Sequence, residues 1–564
     1  MNTSYRLPRP GHYRRPSGVH IRPCEGSSIA VCDYPLRIVR LSSMAMCLLL
    51  LCEEEHTCEE LAQAAQLPIK KVEALCDQLR WKGLLESGPA LPPPIWPCVS
   101  IVIPSYNRAK ELERCLHSLF ILDYPIQCLE IVIVDDASTD ETNSLLERMA
   151  QEATGRGLNL RVVQHERQQG VGISRNTGAE AARYELLAYI DSDCVASLNW
   201  LRDLVPAFQD THIAAVGGMI RAYKRHTLLG RYEDVRSSLF MGTRPQQVRL
   251  GGPLTYLPTA NMVMRRAIWQ QLGGFAPMTH GEDVNFCRRL LISGASILYL
   301  PQGVVYHDYR TTLGAFLRVR ADYAAAEAPL LQRHPAERRI LVLPPEQAMF
   351  AGSVIGGAWN MVARVGAHFI APLFIALLRE QGLDGWNIAQ RRNKARGHNK
   401  AQERNKVRPY TFVSWLCILI KVRPYTFVSW LCILIVLLIT LFGTRKRLQK
   451  VQEQRIPIDP LTVLQATLRG HLAYTYHLCR HLTRYYTLPL LVLSLFVPPL
   501  LLLTCILCGI VIGVDYVRLR PDIGLMKYAL CSLLDDCAYE IGVVRGCVKH
   551  RTWKPLVPVI KKRL

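Results

Sequence analysis

The chain has 564 residues, too many for one ordinary domain, so we expect two or three folded units. Its 68 Lys and Arg against 46 Asp and Glu give a net charge of +22, which favours phosphate-bearing partners: nucleic acid, an anionic membrane surface or sugar nucleotides. The 19 cysteines do not show the paired spacing of a zinc site, which argues for reduced thiols in a cytosolic setting.

Residues 1–90 predict a small winged-helix-like domain. We expect residues 1–26, rich in Arg, Pro and Gly, to be irregular. Thr57 and Glu60 have the spacing of a capping box at the start of a helix. The predicted strands and helices are Ser28–Asp33, Leu36–Leu41, Met44–Cys52, Cys58–Ala65 and Pro68–Leu84.

A winged helix is compatible with DNA binding or with peptide docking. Its last helix mixes basic and acidic side chains, namely Lys70, Lys71, Arg80, Glu73 and Asp77. A helix that binds in a major groove usually presents a face of basic side chains to the DNA phosphates. We therefore expect no nucleic-acid partner and favour peptide docking or packing as the role of this domain.

The prolines at 92–94 predict a stiff linker over residues 91–96, followed by a second domain over residues 97–340. Strand Val99–Pro104 and the next helix lead to strand Leu129–Val134, which ends in Asp135 and Asp136. Acids at this position in a βαβ unit are typical of a nucleotide-binding α/β domain. No G-x-G-x-x-G follows the first strand, which argues against NAD.

Two further motifs bear on phosphate chemistry. Gly170–Asn176 opens a helix whose amides and Arg175 are suited to a diphosphate. Ala188–Ile190 ends in Asp191-Ser192-Asp193, and alternate residues of an extended segment point the same way. Asp191 and Asp193 can therefore share one hard divalent cation that holds a diphosphate. The alternative is a polar turn after a strand.

Together these motifs resemble the family 2 glycosyltransferases. Val-Ser-Ile-Val-Ile-Pro-Ser-Tyr-Asn-Arg, Ile-Val-Asp-Asp-Ala-Ser-Thr-Asp, Gly-x-Ser-Arg-Asn and Asp-Ser-Asp occur in that family's order and spacing within residues 97–310. The resemblance implies the GT-A fold and transfer of a sugar from a nucleoside diphosphate sugar with inversion at the anomeric carbon. The nucleotide-sugar site that it implies comprises Pro104, Tyr106, Asn107, Arg108, Asp135, Asp136, Arg175 and Asp191.

The resemblance also implies a metal cofactor and a catalytic base. Mg²⁺ or Mn²⁺ would be held by Asp191 and Asp193, with His307 either a third ligand or a hydrogen-bonded structural histidine. An inverting transfer needs one group to take the proton of the acceptor hydroxyl while a cation neutralises the departing diphosphate. Asp283 resembles the family's base and Glu282 is the neighbour that orients it. The alternative is that both form the acidic first turn of a helix.

Residues 341–564 predict a helical membrane-associated region. The segment 406–420 is repeated without change as residues 421–435, a tandem repeat over 406–435. Uncharged runs of 20 residues at Pro424–Gly443 and 28 residues at Thr487–Val514 are long enough to span a bilayer. Gln347–Leu378 predicts an interfacial or marginal span, and Met526–Val544 an amphipathic helix.

The orientation of this region follows from chemistry rather than from charge. Basic residues flank the apolar segments on both sides, so the positive-inside rule gives no direction. Because nucleotide sugars are made in the cytosol, we expect the catalytic domain to face the cytoplasm at the cell membrane. The absence of Gln-x-x-Arg-Trp, the signature of cellulose and hyaluronan synthases, argues against a long secreted polymer.

The order of leader, proline linker, catalytic domain and membrane tail is similar to that of the glycosyltransferases of mycofactocin systems. This narrower resemblance implies glucosylation, from UDP-glucose, of a peptide-derived redox cofactor, with the leader as a peptide-binding domain. Residues 381–469 have no counterpart in that group. Two alternatives stay open: a membrane glycosyltransferase with a lipid or cell-wall polysaccharide acceptor, and a non-enzymatic membrane adaptor with a decayed transferase domain.

Overall fold

The computed structural model describes residues 11–24, 27–33, 36–88, 95–360, 408–454, 456 and 458–561. The chain divides into two compact units. The first contains residues 1–339 and 516–558, and the second contains residues 340–515 and 559–564. The helix predicted at Met526–Val544, which the sequence grouped with residues 341–564, therefore belongs to the first unit.

The N-terminal part of the first unit has small antiparallel sheets beside three helices. Sheet β2-β3-β4 packs its apolar side chains against the helices, and short strands pair as β5-β1-β6. The capping box is confirmed, because the Thr57 hydroxyl accepts from the Glu60 amide at 3.2 Å and the Glu60 carboxylate accepts from the Thr57 amide at 3.0 Å. The elements are β1 (His12–Arg14), β2 (Val19–Cys24), β3 (Ser27–Asp33), β4 (Leu36–Leu41), α1 (Ser43–Leu51), β5 (His56–Thr57), α2 (Cys58–Ala65), α3 (Ile69–Trp81) and β6 (Glu86–Ser87).

The expectation that residues 1–26 are irregular is wrong for β1 and β2. In β2, Val19 and Ile21 alternate with polar residues, and the strand pairs with β3 along its whole length. β1 is held only by tertiary pairing, with Tyr13 opposite His56 of β5 and Ser87 of β6. Because these partners lie far along the chain, the local composition did not predict β1.

The larger part of the first unit is built on a nine-stranded sheet ordered β11-β15-β12-β14-β10-β7-β8-β9, with β13 beside β15. The pairs β10-β7, β7-β8, β8-β9 and β12-β15 are parallel, and β14 is antiparallel to both of its neighbours. The strands are β7 (Val99–Ser105), β8 (Leu129–Asp135), β9 (Asn159–Gln164), β10 (Leu186–Ile190), β11 (Cys194–Ala196), β12 (Ile213–Ala222), β13 (Gln246–Val248), β14 (Asn261–Arg265) and β15 (Ser296–His307). The helices are α4 (Ala109–Phe120), α5 (Thr142–Gly155), α6 (Val171–Ala181), α7 (Trp200–Leu204), α8 (Leu228–Arg236), α9 (Arg266–Gln271), α10 (Glu282–Ile292), α11 (Leu313–Ala325) and α12 (Glu327–Arg333).

Strands β7, β8 and β10 are buried along their length, as their continuous apolar sequences predicted. Helix α6 crosses this sheet so closely that a Cβ on Gly178 would lie 2.4 Å from the Val102 side chain. This approach fixes the start of α6 at the carboxyl edge of the sheet, where the acids that follow β8 and β10 emerge. The fold thereby brings the sequence motifs to one edge.

The second unit is helical. It contains α13 (Arg408–Glu453), α14 (Pro460–Ser494) and all but the last four residues of α15 (Pro499–Leu519). Residues 345–360 are also helical, and β16 (Ile340–Val342) pairs in parallel with β17 (Val559–Lys561). The tandem repeat lies in α13, apart from residues 406 and 407, which with residues 361–405 fall outside the described part of the chain.

Two helical stretches, Val428–Glu453 and Pro499–Leu519, are long and apolar enough to cross a membrane. The 28-residue run Thr487–Val514 is not one helix, because α14 ends at Ser494 and α15 begins at Pro499. Pro498 and Pro499 have no amide hydrogen to donate, and a proline disfavours helical geometry in the residue before it. The predicted span is therefore corrected to α15.

The last helix, α16 (Leu525–Lys549), packs on α11 in the first unit. Gly542 and Gly546 allow the contact, since a Cβ on either would lie 2.2 Å from the Ala321 carbonyl oxygen or 2.4 Å from that of Ala325. The predicted amphipathic helix is thus confirmed as a helix. It docks through small residues against α11 of the same unit.

Candidate active site

A cleft of about 1070 Å³ opens at the carboxyl ends of β7, β8 and β10. Ligands of α/β sheets bind at this edge. One half of its wall follows these strands and the start of α6, and it contains the predicted residues Pro104, Tyr106, Arg108, Asp136, Arg175, Asp191 and Asp193. The other half contains the predicted residues Glu282, Asp283 and His307. Sequence motifs that are up to about 200 residues apart therefore share one cleft.

Two predicted nucleotide-sugar residues, Asn107 and Asp135, are not among the residues that line the cleft. Asn107 has a positive φ of 50°, and its side-chain oxygen accepts from the Thr139 amide at 2.7 Å. The carboxylate of Asp135 accepts from the Ser138 amide at 3.2 Å. These hydrogen bonds hold the loops after β7 and β8 together. Asn107 and Asp135 therefore support the residues that line the cleft without lining it themselves.

Asp136 lines the cleft with a carboxylate that is already engaged. It accepts from the Gln169 and Gly170 amides at 2.9 and 2.8 Å, and it contacts His165 Nδ1 at 2.7 Å. Burial acts to raise the pKa of Asp136, but these hydrogen bonds outweigh burial and lower it. The carboxylate therefore stays ionised and fixes the loop that leads into α6.

Arg175 joins the two halves of the cleft. Its guanidinium is buried and donates to Asp191 at 2.8 Å and to Glu282 at 2.5 Å. The planar fork of an arginine suits two carboxylates at once. Arg175 thus ties the end of β10 to the start of α10, and it compensates two acids that would otherwise repel each other.

Asp193 is the most heavily compensated acid of the site. Arg108 donates to its carboxylate, His307 Nε2 lies 3.5 Å away, and an Arg310 nitrogen lies 3.7 Å away. Burial acts to raise the pKa of Asp193, and these positive neighbours outweigh burial and lower it. Asp193 is therefore a firmly ionised carboxylate at the sheet edge.

Within the described part of the chain, the side chains close enough to share a metal ion are Asp193, Cys194 and His307. The structure thus brings together two of the three predicted ligands, whereas the carboxylate of Asp191 bonds to Arg175. Burial raises the pKa of the Cys194 thiol well above its ordinary value, so this thiol is a poor ligand.

Asp283 lies on the first turn of α10 and lines the cleft. Burial, followed by the adjacent Glu282, raises the pKa of Asp283 to about 7. Its carboxylate accepts from the Val284 amide at 2.7 Å. A carboxyl group with a pKa near neutral pH can accept a proton and release it again, which is the behaviour of a general base.

The wall beyond Asp283 contains residues that sequence reasoning missed. It carries aromatic rings and carboxylates from several elements, namely Tyr256, His280, Phe316, Asp322, Tyr323, Glu327 and Tyr539. Tyr539 comes from α16, and its hydroxyl donates to the carboxylate of Glu327. No local pattern marks Tyr539, because more than 200 residues separate it from the rest of the wall.

Comparison with known proteins agrees with this geometry. Residues 100–273 match the family described as Glycosyl transferase family 2. The chain is 32% identical over 302 residues to the pre-mycofactocin glycosyltransferase of Mycobacterium tuberculosis, covering 52% of this chain and 60% of the relative. It is 28% identical over 217 residues to the glycosyltransferase AglE of Haloferax volcanii, covering 38% of this chain and 68% of that protein.

Among solved structures, the mannosyltransferase PcManGT from Pyrobaculum calidifontis in complex with GDP-Man and Mn²⁺ aligns with a TM-score of 0.36 and 22% identity, covering 44% of this chain and 66% of that chain. The chain spans about 60% of the length of the mycobacterial relative that it matches. The family match covers β7 through α9, and therefore includes the strands at whose carboxyl ends the cleft opens. Over residues 100–273 the chain is therefore similar to the family 2 glycosyltransferases.

Proposed function

We propose that this enzyme transfers glucose from UDP-glucose, with inversion and with Mg²⁺ or Mn²⁺, onto a peptide-derived redox cofactor of the mycofactocin type. The observation that carries the proposal is that Asp283, with a pKa of about 7, lines the same cleft as Asp191 and Asp193. An inverting transfer requires a base for the acceptor hydroxyl and compensation for the departing diphosphate.

The donor half of the cleft is suited to a nucleoside diphosphate. Tyr106, 39% exposed, presents an aromatic ring beside Pro104, which a nucleobase can stack against. The amides at the start of α6 line the cleft together with the guanidinium groups of Arg108 and Arg310. Helix amides and guanidinium groups are the usual partners of phosphate oxygens in proteins.

The residues at the sheet edge fit a divalent cation. Asp193 and His307 offer an oxygen and a nitrogen 3.5 Å apart, and Asp191 lies on the cleft surface beside them. Within the described residues, the buried His307 Nδ1 has no hydrogen-bond partner. Arg108 must leave Asp193 for a cation to bind there. When bound, the cation neutralises the negative charge that develops on the leaving diphosphate.

The geometry favours Asp283 over Glu282 as the base. Glu282 is buried and its carboxylate is engaged by the Arg175 guanidinium, so it is not free to contact an acceptor hydroxyl. Asp283 lies next to it without that ion pair and has the raised pKa. In the proposed reaction, Asp283 takes the proton of the acceptor hydroxyl, and Glu282 holds Arg175 in place.

The N-terminal domain is proposed to hold the peptide part of the acceptor. Its sheet β2-β3-β4 has β2 and β4 as edge strands. An edge strand presents unpaired backbone groups to which an extended peptide can add as a further strand. This use of the domain agrees with the mixed charge of α3.

Membrane attachment forms part of the same proposal. The helical stretches Val428–Glu453 and Pro499–Leu519 would span the bilayer, with the catalytic domain in the cytoplasm where nucleotide sugars are made. A membrane-bound enzyme is also compatible with a lipid or cell-wall polysaccharide acceptor, so the acceptor has to be tested directly.

The test is a transfer assay with the purified full chain, labelled UDP-glucose and Mn²⁺. The peptide-derived cofactor precursor and a lipid extract are offered in parallel. We expect label on the peptide-derived acceptor, and we expect Asp283→Asn to lose transfer while it keeps UDP binding. Asp123→Asn is the matched control, since Asp123 is a surface carboxylate paired with Arg202.

Each other outcome has a defined meaning. Label on the lipid extract alone would replace the acceptor proposal with the lipid or cell-wall alternative. UDP binding without transfer or hydrolysis under any condition would favour the non-enzymatic adaptor. Full activity of Asp283→Asn would refute the assignment of the base.

A further inference from the structure

Helix α16 buries its polar face. Its side chains Tyr528, Ser532, Asp535, Asp536 and Glu540 are all buried. Asp535 accepts a hydrogen bond from the Tyr232 hydroxyl at 3.0 Å, and Arg320 Nε lies 3.4 Å from its carboxylate. The polar face is thus bound to the catalytic part of the first unit.

The face of α16 opposite to Tyr528 and Asp535 is apolar and exposed. Its exposed side chains are Met526 (82%), Leu530 (58%), Ile541 (56%), Val544 (41%) and Val548 (61%). The partly exposed Leu533 and Cys537 fill the gap, so apolar residues recur every three or four positions along the helix. This spacing places them on one stripe about 100° wide. We call these seven residues the apolar stripe.

An ordinary surface helix buries its apolar residues and exposes its polar ones. Helix α16 buries apolar residues such as Ala538 and Val543 together with its acids, and it still exposes a continuous apolar stripe. A contiguous exposed apolar stripe indicates a surface that is covered by a partner or a lipid phase. Lys527 and Lys549 are exposed along the edge of the stripe, and Arg551 and Lys554 are exposed just after the helix. Basic side chains beside an apolar stripe complement an anionic lipid surface.

The position of α16 in the chain supports the same partner. Only residues 520–524 separate α16 from α15, which is long and apolar enough to cross a membrane. Five residues reach at most about 18 Å when fully extended. If α15 spans the bilayer, α16 must begin close to the bilayer surface. Trp553, 56% exposed after the end of α16, is a residue type enriched at membrane interfaces.

We propose that α16 is an interfacial membrane helix, whose apolar stripe lies in the headgroup region of an anionic bilayer while its polar face holds the catalytic part. The proposal rests on the membrane attachment inferred above. Tyr539 on the bound side of α16 reaches the cleft wall, so this helix connects the lipid surface to the acceptor side of the cleft.

The test uses the full chain reconstituted in vesicles of phosphatidylcholine and phosphatidylglycerol that contain a photoactivatable diazirine lipid. After irradiation, mass spectrometry maps the lipid adducts along residues 525–549. We expect adducts on the apolar stripe and none on the buried face at Tyr528, Asp535 and Gly542. Ile541→Asp should remove adducts from the stripe, whereas Cys98→Asp, a change outside α16, should leave them.

Extraction of the same vesicles with alkaline carbonate separates this inference from the proposed spans. If the chain stays in the vesicles after carbonate extraction but carries no lipid adducts on the apolar stripe, the proposed role of α16 is wrong. The proposed membrane spans would still hold. A chain that carbonate removes but that labels along the stripe would support α16 as the membrane contact and overturn the spans. A detergent-solubilised chain that is dimeric, becomes monomeric with Ile541→Asp and carries no lipid adducts on the stripe would replace the bilayer with a dimer.

Discussion

Replacement of Asp283 by Asn should lower activity and raise stability at the same time. The pKa of Asp283 is raised from its ordinary value of 3.8 to about 7, mainly by burial and then by Glu282. This difference corresponds to about 4 kcal/mol in the free energy of unfolding, which the protein loses when the Asp283 carboxyl ionises in the folded state. The asparagine amide that replaces the carboxyl is neutral at every pH, so the variant avoids this loss of stability. The variant also lacks the group that accepts the proton.

The sign of the pH dependence follows from the raised pKa. The folded protein binds the proton of Asp283 more tightly than the unfolded chain, so the associated stability is complete below pH about 4 and is lost as pH rises through about 7. Transfer shows the opposite trend, because the base must be ionised: kcat/KM should rise tenfold per pH unit below about 7 and level off above it.

The assay compares wild type with Asp283→Asn over this pH range, by sugar transfer and by thermal unfolding. At pH 8 the variant should lose about 10²–10⁴-fold in kcat, the usual contribution of a general base. It should also gain several degrees in Tm, at about 1–2 °C per kcal/mol for a unit of about 380 residues. A variant that loses both activity and Tm would show that Asp283 is structural, and a pH profile without a step near 7 would refute its role as the base.

Three further changes test the rest of the site. Arg175→Met leaves the buried Glu282 without its partner, so we expect chemical denaturation to show a loss of about 3–5 kcal/mol in the free energy of unfolding. The control Arg202→Met removes an exposed ion pair and should cost less than about 1 kcal/mol. Asp193→Ala should abolish Mn²⁺-dependent UDP binding in calorimetry, and binding that is insensitive to both the substitution and EDTA would contradict the metal site. Tyr539→Phe removes the hydrogen bond to Glu327 and should raise the acceptor KM about tenfold with the donor KM unchanged; an equal rise in both would show that α16 acts only on folding.

The elements that carry the donor half of the cleft were predictable because their signals are local. Strands β7, β8 and β10 are continuous apolar runs, and acids or a turn follow each at its carboxyl end. Parallel strands bring their carboxyl ends to the same edge, so Asp136 and Asp191 had to meet once the strands were placed. Sequence alone therefore predicted the edge of the sheet at which the cleft opens, and ten of the predicted residues line that cleft.

The partner of each side chain was not predictable in the same way. Asp191 and Asp193 follow the same strand, yet Asp191 binds Arg175 while Asp193 binds Arg108. Asn107 and Asp135 belong to the same motifs as the lining residues but turn to backbone amides of the loop after β8. Alternation along a strand gives the direction of a side chain, whereas its contact depends on a loop or helix from elsewhere in the chain.

Helix α16 shows a different limit of sequence reasoning. A helical pattern shows that two faces differ, but it does not tell which of them is buried, and the usual assignment buries the apolar one. In α16 the acids are buried, because Arg320 and Tyr232 reach Asp535 and because Gly542 lets the helix approach α11 closely enough to exclude water. Burial of acids on this scale is tolerated only where positive and hydroxyl groups meet them. The apolar stripe is then left facing outward, and a chain with candidate membrane spans has a lipid surface available to cover it.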